Sequence, residues 1–250
     1  MIEDPLLQFS LFVIAGFLAQ MIDGMLSMGY GVSATTLLLS FGVAPAAASA
    51  SVHTAEVVAT AFSAYNHWRV GNVLMQFAKK LLIPGVVGAI IGAYILTHIP
   101  GDVIKPFVAA YLVIMGVVIL VKAFRPRRET ESHAHMVPLG LAGGFFDAIG
   151  GGGWGPIVAG TLVARGNPPK TTIGSVAFAE FFVTVAASAT LLLTIGVTNW
   201  LPIAGLALGG AIASPLAARL TGRIAAKPLM IAVGVLVILL SARTIFVAMQ

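Results

Sequence analysis

The stretch Gly150-Gly151-Gly152-Gly153-Trp154-Gly155-Pro156 restricts the fold of this chain more than any other. Six of its seven residues are Gly or Pro, so a helix arriving at Ile149 must break there and a new one can begin at Pro156. The surroundings are strongly apolar: 58% of the chain is hydrophobic and 9% is charged, against the roughly 25% charged residues of soluble domains. The break therefore falls inside a membrane, where irregular backbone is tolerated only if protein or a wet cavity surrounds it.

Ten apolar runs follow one another along the chain. Phe9 to Ile22, Val32 to Phe41, Ala46 to Trp68, Leu81 to Thr97 and Pro106 to Phe124 make a first half. Val137 to Ile149, Pro156 to Ala164, Thr172 to Ile195, Trp200 to Leu220 and Pro228 to Val247 make a second. A basic connection at 125–136 separates them, which divides the chain into repeats at 1–124 and 137–250. Shifting the chain by 124 residues aligns Gly16–Glu56 with Gly140–Glu180 without a gap, and 11 of the 41 positions are identical. Asp23/Asp147, Gly29/Gly153, Gly31/Gly155, Ser51/Ser175 and Glu56/Glu180 are among them, the signature of a duplication.

Net charge is +5, but the Lys and Arg residues sit in short connections between apolar runs, a membrane pattern that argues against nucleic acid as partner. Placing the 125–136 linker in the cytoplasm and counting crossings outward puts 12 of the 14 Lys and Arg on that side, all but Lys105 and Arg243. The N-terminus is then periplasmic, and with Glu3 and Asp4 there and no basic stretch it carries no signal-peptide pattern. Equivalent loops fall on opposite faces, so the repeats have inverted topology, as in many secondary transporters.

A helix needs about 20 residues to cross the hydrocarbon core. Val137 to Ile149 has 13 and Pro156 to Ala164 has 9, which predicts a re-entrant hairpin. Phe9 to Ile22 and Val32 to Phe41, around Gly24 to Gly31, predict its counterpart from the opposite face. The predicted fold is an all-α polytopic membrane protein with six full spans plus two hairpins, or 8–10 membrane segments. Its two tips are expected to meet near the midplane.

Broken helices leave N–H groups unpaired and point positive dipole ends at the break, which favours an anion. Gly29, Tyr30, Gly31, Gly151, Gly152, Gly153, Trp154 and Gly155 are the candidate binding residues, with the Ser51 and Ser175 hydroxyls and His53 as further donors. The competing reading is that glycines only permit close helix packing. Asp23, Glu56, Asp147 and Glu180 are carboxylates within apolar segments, functional candidates by their cost. Either they carry a coupling proton, or each caps the broken helix of its own half. His67, Trp68, Arg69 and Trp200 read as interface anchors.

His133 and His135 read as solvated residues of a polar linker, no metal site or cofactor is expected, and cysteine is absent. No phosphate loop, H-E-x-x-H or G-x-S-x-G motif occurs, so no catalytic residue is assigned and the chain reads as no enzyme. The partners expected are a small anion and the lipid bilayer; oligomeric state stays open.

The Gly-rich break of each half, Asn66-His67-Trp68-Arg69-Val70-Gly71-Asn72-Val73 and Gly209-Gly210-Ala211-Ile212-Ala213-Ser214-Pro215-Leu216-Ala217-Ala218-Arg219-Leu220 together resemble the TauE/SafE family of membrane permeases over nearly the whole chain. The resemblance implies a multi-pass protein of the bacterial cytoplasmic (inner) membrane. It also implies transport of a sulfur-containing anion such as sulfite or sulfoacetate, in most cases by export. The first tip departs from the glycine-rich pattern, with Met25, Leu26 and Met28 where the second has Ile149, Gly150 and Gly152. An anion channel, or an importer of another small organic anion, is the alternative.

Overall fold

The computed structural model describes residues 4–124, 135–196 and 200–248, and every regular element among them is helical. The helices are α1 (Pro5–Leu26), α2 (Tyr30–Ser40), α3 (Pro45–Arg69), α4 (Met75–His98), α5 (Gly101–Phe124), α6 (Met136–Gly150), α7 (Gly155–Ala164), α8 (Pro169–Ile195), α9 (Trp200–Leu220) and α10 (Ala226–Ala248). Local signals set several starts. Pro opens α1, α3 and α8, and Asp4 caps α1 by accepting the Leu6 N–H at 2.8 Å. Most of the basic linker, residues 125–134 with His133, lies outside the described residues.

Among the described residues, six helices are long and apolar enough to cross a membrane: α1, α4, α5, α8, α9 and α10. The number matches the expectation, but one member differs. The first arm was predicted to be short, and α1 instead has 22 residues, because Leu6 and Leu7 extend it backward and Gly24 does not break it. The helix runs through Gly24, where a Cβ would come within 2.6 Å of Ala217 Cβ on α9, so this glycine serves close packing. The break comes at Ser27, in the left-handed conformation at φ 49°. Helix α3 is long enough at 25 residues but less apolar, since Ser49, Ser51, His53, Glu56, Thr60, Ser63 and His67 are all buried along it. It is an internal polar helix packed on α8, to which Thr54 Oγ1 is tied through Ser188 Oγ at 3.1 Å.

Glycines set the spacing of the bundle. Helix α1 runs beside α9 in the same direction, Gly16 meeting Leu206 and Gly24 meeting Ala217; α6 runs beside α4 likewise, Gly140 meeting Leu81 and Gly92 meeting Phe145. Gly85 faces Trp154 and Val183, while Gly210 faces Tyr30 and Ala59. Tyr30/Trp154 and Ala59/Val183 are pairs under the 124-residue shift, so contacts of one half recur in the other.

Basic residues gather at one end of the bundle. Asn72 of the α3–α4 connection donates to Ala218 O at 3.3 Å, a Cβ on Gly222 would lie 3.9 Å from Lys170 Cβ, and Lys227 Nζ stands 4.4 Å over the Phe124 ring. Arg243 donates to Ser40 O at 2.8 Å at the other end.

The glycine contacts give a direct test. Gly88→Leu would drive a side chain into the α6 backbone at Leu141 and Phe145, whereas Gly101→Ala meets only Ala44 Cβ at 3.9 Å. Thermal unfolding in one detergent should show Gly88→Leu destabilised by at least about 1–3 kcal/mol, the usual cost of overpacking, and Gly101→Ala unchanged. Equal effects would contradict the packing described.

Candidate functional site

Each break is closed by an aspartate from the helix that leads into it. Asp147, in the last turn of α6, accepts the Gly153 and Trp154 N–H groups on Oδ1 at 2.8 and 2.9 Å, and its carbonyl accepts Gly152 N–H at 2.9 Å. Asp23 occupies the equivalent place in α1. Its Oδ1 accepts Tyr30 N–H at the longer distance of 3.4 Å, and its carbonyl accepts Ser27 N–H. Of the two roles open to the acids, capping therefore describes the aspartates. It also alters the picture of free donors at the second tip, since two of its N–H groups already hold a carboxylate.

The breaks overlap rather than meeting tip to tip. Ala148 O, just before the second break, accepts Ser49 Oγ in the first turns of α3 at 2.8 Å. Gly24 O, just before the first, accepts His67 Nε2 in the last turn of α3 at 2.9 Å, and Thr221 Oγ1 at 3.0 Å. Ser49 and His67 are 18 residues apart, about 27 Å at 1.5 Å per helical residue, so the breaks lie toward opposite ends of α3. Between those levels the return helices pass side by side. A Cβ on Gly31 would lie 2.7 Å from Gly152 Cα, Gly155 lies against Ser27 and Met28, and Thr35 Oγ1 donates to Gly151 O. Gly31/Gly155 and Met28/Gly152 are equivalent pairs, so the two crossings mirror one another. Gly29, Gly151 and Gly152 have φ of 147°, 67° and 155°, which side chains rarely adopt.

Tyr30 and Trp154 are fully buried wedges. The Tyr30 hydroxyl donates to Leu206 O at 3.0 Å and Trp154 Nε1 to Val176 O at 3.2 Å, so both polar atoms are committed to the framework. The first turn of α7 is widened over Gly155–Ala159, with Gly160 N–H reaching Gly155 O. Lys122 Nζ donates to Pro156 O there at 2.5 Å, with Thr161 Oγ1 at 3.3 Å.

Four acids and one imidazole surround the overlap. Asp23, Glu56, Asp147 and Glu180 are all buried and within electrostatic reach of one another, and Glu180 lies beside Ser27 of the first break. Glu56 Oε2 and Glu180 Oε2 are buried without a hydrogen-bond partner. His53 Nδ1 is 2.8 Å from Ser49 O, which can only accept, so that nitrogen carries a hydrogen. His53 Nε2 is 3.2 Å from Asp147 Oδ2. That places the imidazole and the carboxyl within hydrogen-bond distance of each other, so a proton can be exchanged between them.

Ser175 stands apart from this group: its hydroxyl accepts Leu74 N–H at 2.8 Å and donates to Thr171 O at 2.7 Å, joining α8 to the α3–α4 connection. Ser51 is buried on α3. His67 is also fully buried and tied to Gly24 and Asn72, so it is no interface anchor; Trp68, at 58% exposure, suits that role. Residues not anticipated include Ser49, Thr35 and Tyr111, whose hydroxyl donates to Gly152 O at 3.1 Å and whose ring stacks on Phe146. Ser49 stands one turn before His53, and Tyr111 carries the only hydroxyl between Pro106 and Lys122. Among the described residues no group of three His, Cys, Asp or Glu could hold a metal ion.

Asp147→Ala orphans two buried N–H groups and Asp23→Ala one that is weakly held. At about 1–3 kcal/mol per orphaned group, thermal unfolding should place the Asp147→Ala loss well above the Asp23→Ala loss, with Asp147→Asn recovering most of it through its carbonyl. Equal losses would contradict the capping assignment.

The family model described as Sulfite exporter TauE/SafE matches residues 12–244. The chain is 43% identical over 244 residues to "Probable membrane transporter protein YtnM" of Bacillus subtilis (strain 168), covering 94% of this chain and 81% of that one. It is 27% identical over 163 residues to "Probable membrane transporter protein YdhB" of the same organism, covering 61% and 62%. No solved structure matches.

Proposed function

The chain belongs to the sulfite exporter TauE/SafE family of membrane transporters, and from that premise we propose that it is a secondary transporter exporting a small oxyanion, sulfite or an organosulfonate such as sulfoacetate, by alternating access. In this reading 1–124 and 137–250 are inverted repeats in the bacterial cytoplasmic (inner) membrane, with the 125–136 linker and the basic end in the cytoplasm and the N-terminus outside. The observation that supports it best is the overlap of two helix breaks between two polar latches. His67 and Thr221 hold Gly24 O at the basic end, while Ser49 holds Ala148 O at the other. Both His67 and Ser49 stand on α3, so a small shift of α3 can loosen one latch as it tightens the other.

Coupling follows from the same atoms. An anion reaching the second break needs the Gly153 and Trp154 N–H groups, which Asp147 holds. Transfer of a proton from His53 Nε2 to Asp147 Oδ2 would neutralise the carboxyl and weaken its hold. Glu56 and Glu180, each with an unpartnered buried oxygen, are the residues we assign to carrying a coupling proton past the anion.

Sulfite flux in proteoliposomes, measured with and without an imposed pH gradient, tests this. Glu56→Gln and Glu180→Gln should each remove most of the stimulation by the gradient while leaving the protein folded. Unchanged pH dependence in both variants would sink proton coupling through this pair.

A further inference from the structure

A second polar feature lies at the basic end, away from the overlap of the breaks. A cavity of about 480 Å³ opens between the α3–α4 connection, the start of α8 and the end of α9. Lys170, Arg219 and Arg223 line it together with Asn72 and Thr221, and no carboxylate does. The segments 69–75, 165–171 and 218–227 that supply the wall contain no Asp or Glu at all. The three cations thus share one concavity with nothing of opposite sign in its wall. Positive charge at one end is the ordinary pattern of membrane proteins; its convergence on a cavity is not required by that pattern.

Two further observations bear on what the cavity takes. The 27-residue helix α8 begins in its wall at Pro169 and Lys170, turning its positive dipole end to the space. Asn72, fully buried behind the wall, donates through Nδ2 to His67 Nδ1 and Ala218 O and has no partner for Oδ1. The cavity is also continuous in structure with the first break. Thr221 lines it and donates to Gly24 O, the carbonyl that His67 also holds.

We propose that this cavity is an oxyanion-binding site at the mouth nearest the first break. As a waiting place for transported substrate it rests on the transport reading above; as an oxyanion site it stands on the wall alone. At roughly 30 Å³ per water the space could hold many waters, so it leaves room beside a small oxyanion for an organic body. A sulfonate and the phosphate of a lipid headgroup share that chemistry.

The test compares the full-length protein with the triple variant Lys170→Gln, Arg219→Gln, Arg223→Gln in an uncharged detergent at constant ionic strength. The probes are sulfate, sulfoacetate and short-chain phosphatidylglycerol, read by the rise in Tm with ligand concentration. At least one probe should stabilise the wild type, with apparent affinity about tenfold weaker in the triple variant, and Arg219→Lys with Arg223→Lys should keep it within about threefold. Response to sulfate or sulfoacetate identifies a soluble anion; response to phosphatidylglycerol alone identifies a headgroup. Equal responses of wild type and triple variant, or none in the wild type, would overturn the site. Flux in liposomes of uncharged lipid then separates the two claims. A raised KM at unchanged kcat in the triple variant supports the waiting place, and an unchanged KM removes it. A wild type without flux sinks the transport reading and leaves the binding result intact.

Discussion

Two helices stop inside this protein, and at each stop an aspartate from the last turn takes up N–H groups at the start of the next helix. Asp147 does so for Gly153 and Trp154, and Asp23 for Tyr30. Without them the breaks would leave buried backbone donors unpaired, at a cost of about 1–3 kcal/mol per group. With them, the chain can turn back on itself through residues that need positive φ, and the return helices can pass close enough for Gly31 to touch Gly152. The buried acids are therefore part of the fold before they are part of any chemistry. The asymmetry between them, two short bonds and a histidine at Asp147 against one long bond at Asp23, makes the second break the better-held of the two.

The rest of the bundle is arranged around that overlap. Small residues let α1 lie on α9 and α6 on α4 at backbone contact, the membrane substitute for a hydrophobic driving force. Helix α3 gives up hydropathy to line the interior with hydroxyls, two imidazoles and a carboxyl, and it holds both breaks by their preceding carbonyls. In the alternating-access reading proposed above, such an element in contact with both ends is what would expose one end at a time.

Much of this was legible in the sequence because the duplication repeats it. The Asp23/Asp147 and Tyr30/Trp154 pairs and the location of the second break follow from the 124-residue shift and the glycine run, and the ends of α9 from its apolar run. What was not legible depends on long-range partners. The depth of each break is set by which turn of α3 accepts it, at Ser49 and at His67, and no local pattern says so. Gly24 looked like part of the first break because glycine breaks helices, yet Ala217 needs its missing side chain. Ser51 and Ser175 are identical in both halves, but Ser175 serves Leu74 N–H, so repetition marked a structural need as readily as a site. Lys122 is one of the 12 cytoplasmic charges counted in the sequence, and in the fold it reaches back to the widened turn of α7.

In the proposed carrier the overlapping breaks are the moving part. Counterflow tests this most directly: proteoliposomes preloaded with unlabelled sulfite are placed in a trace of labelled sulfite, and entry of label is compared with that into empty vesicles. A carrier in which the two latches open alternately gives entry accelerated several-fold by preloading, with a transient overshoot of label. Entry that is indifferent to preloading, accompanied by sulfite current under a voltage, would mean a continuous pore between the breaks and would contradict the account.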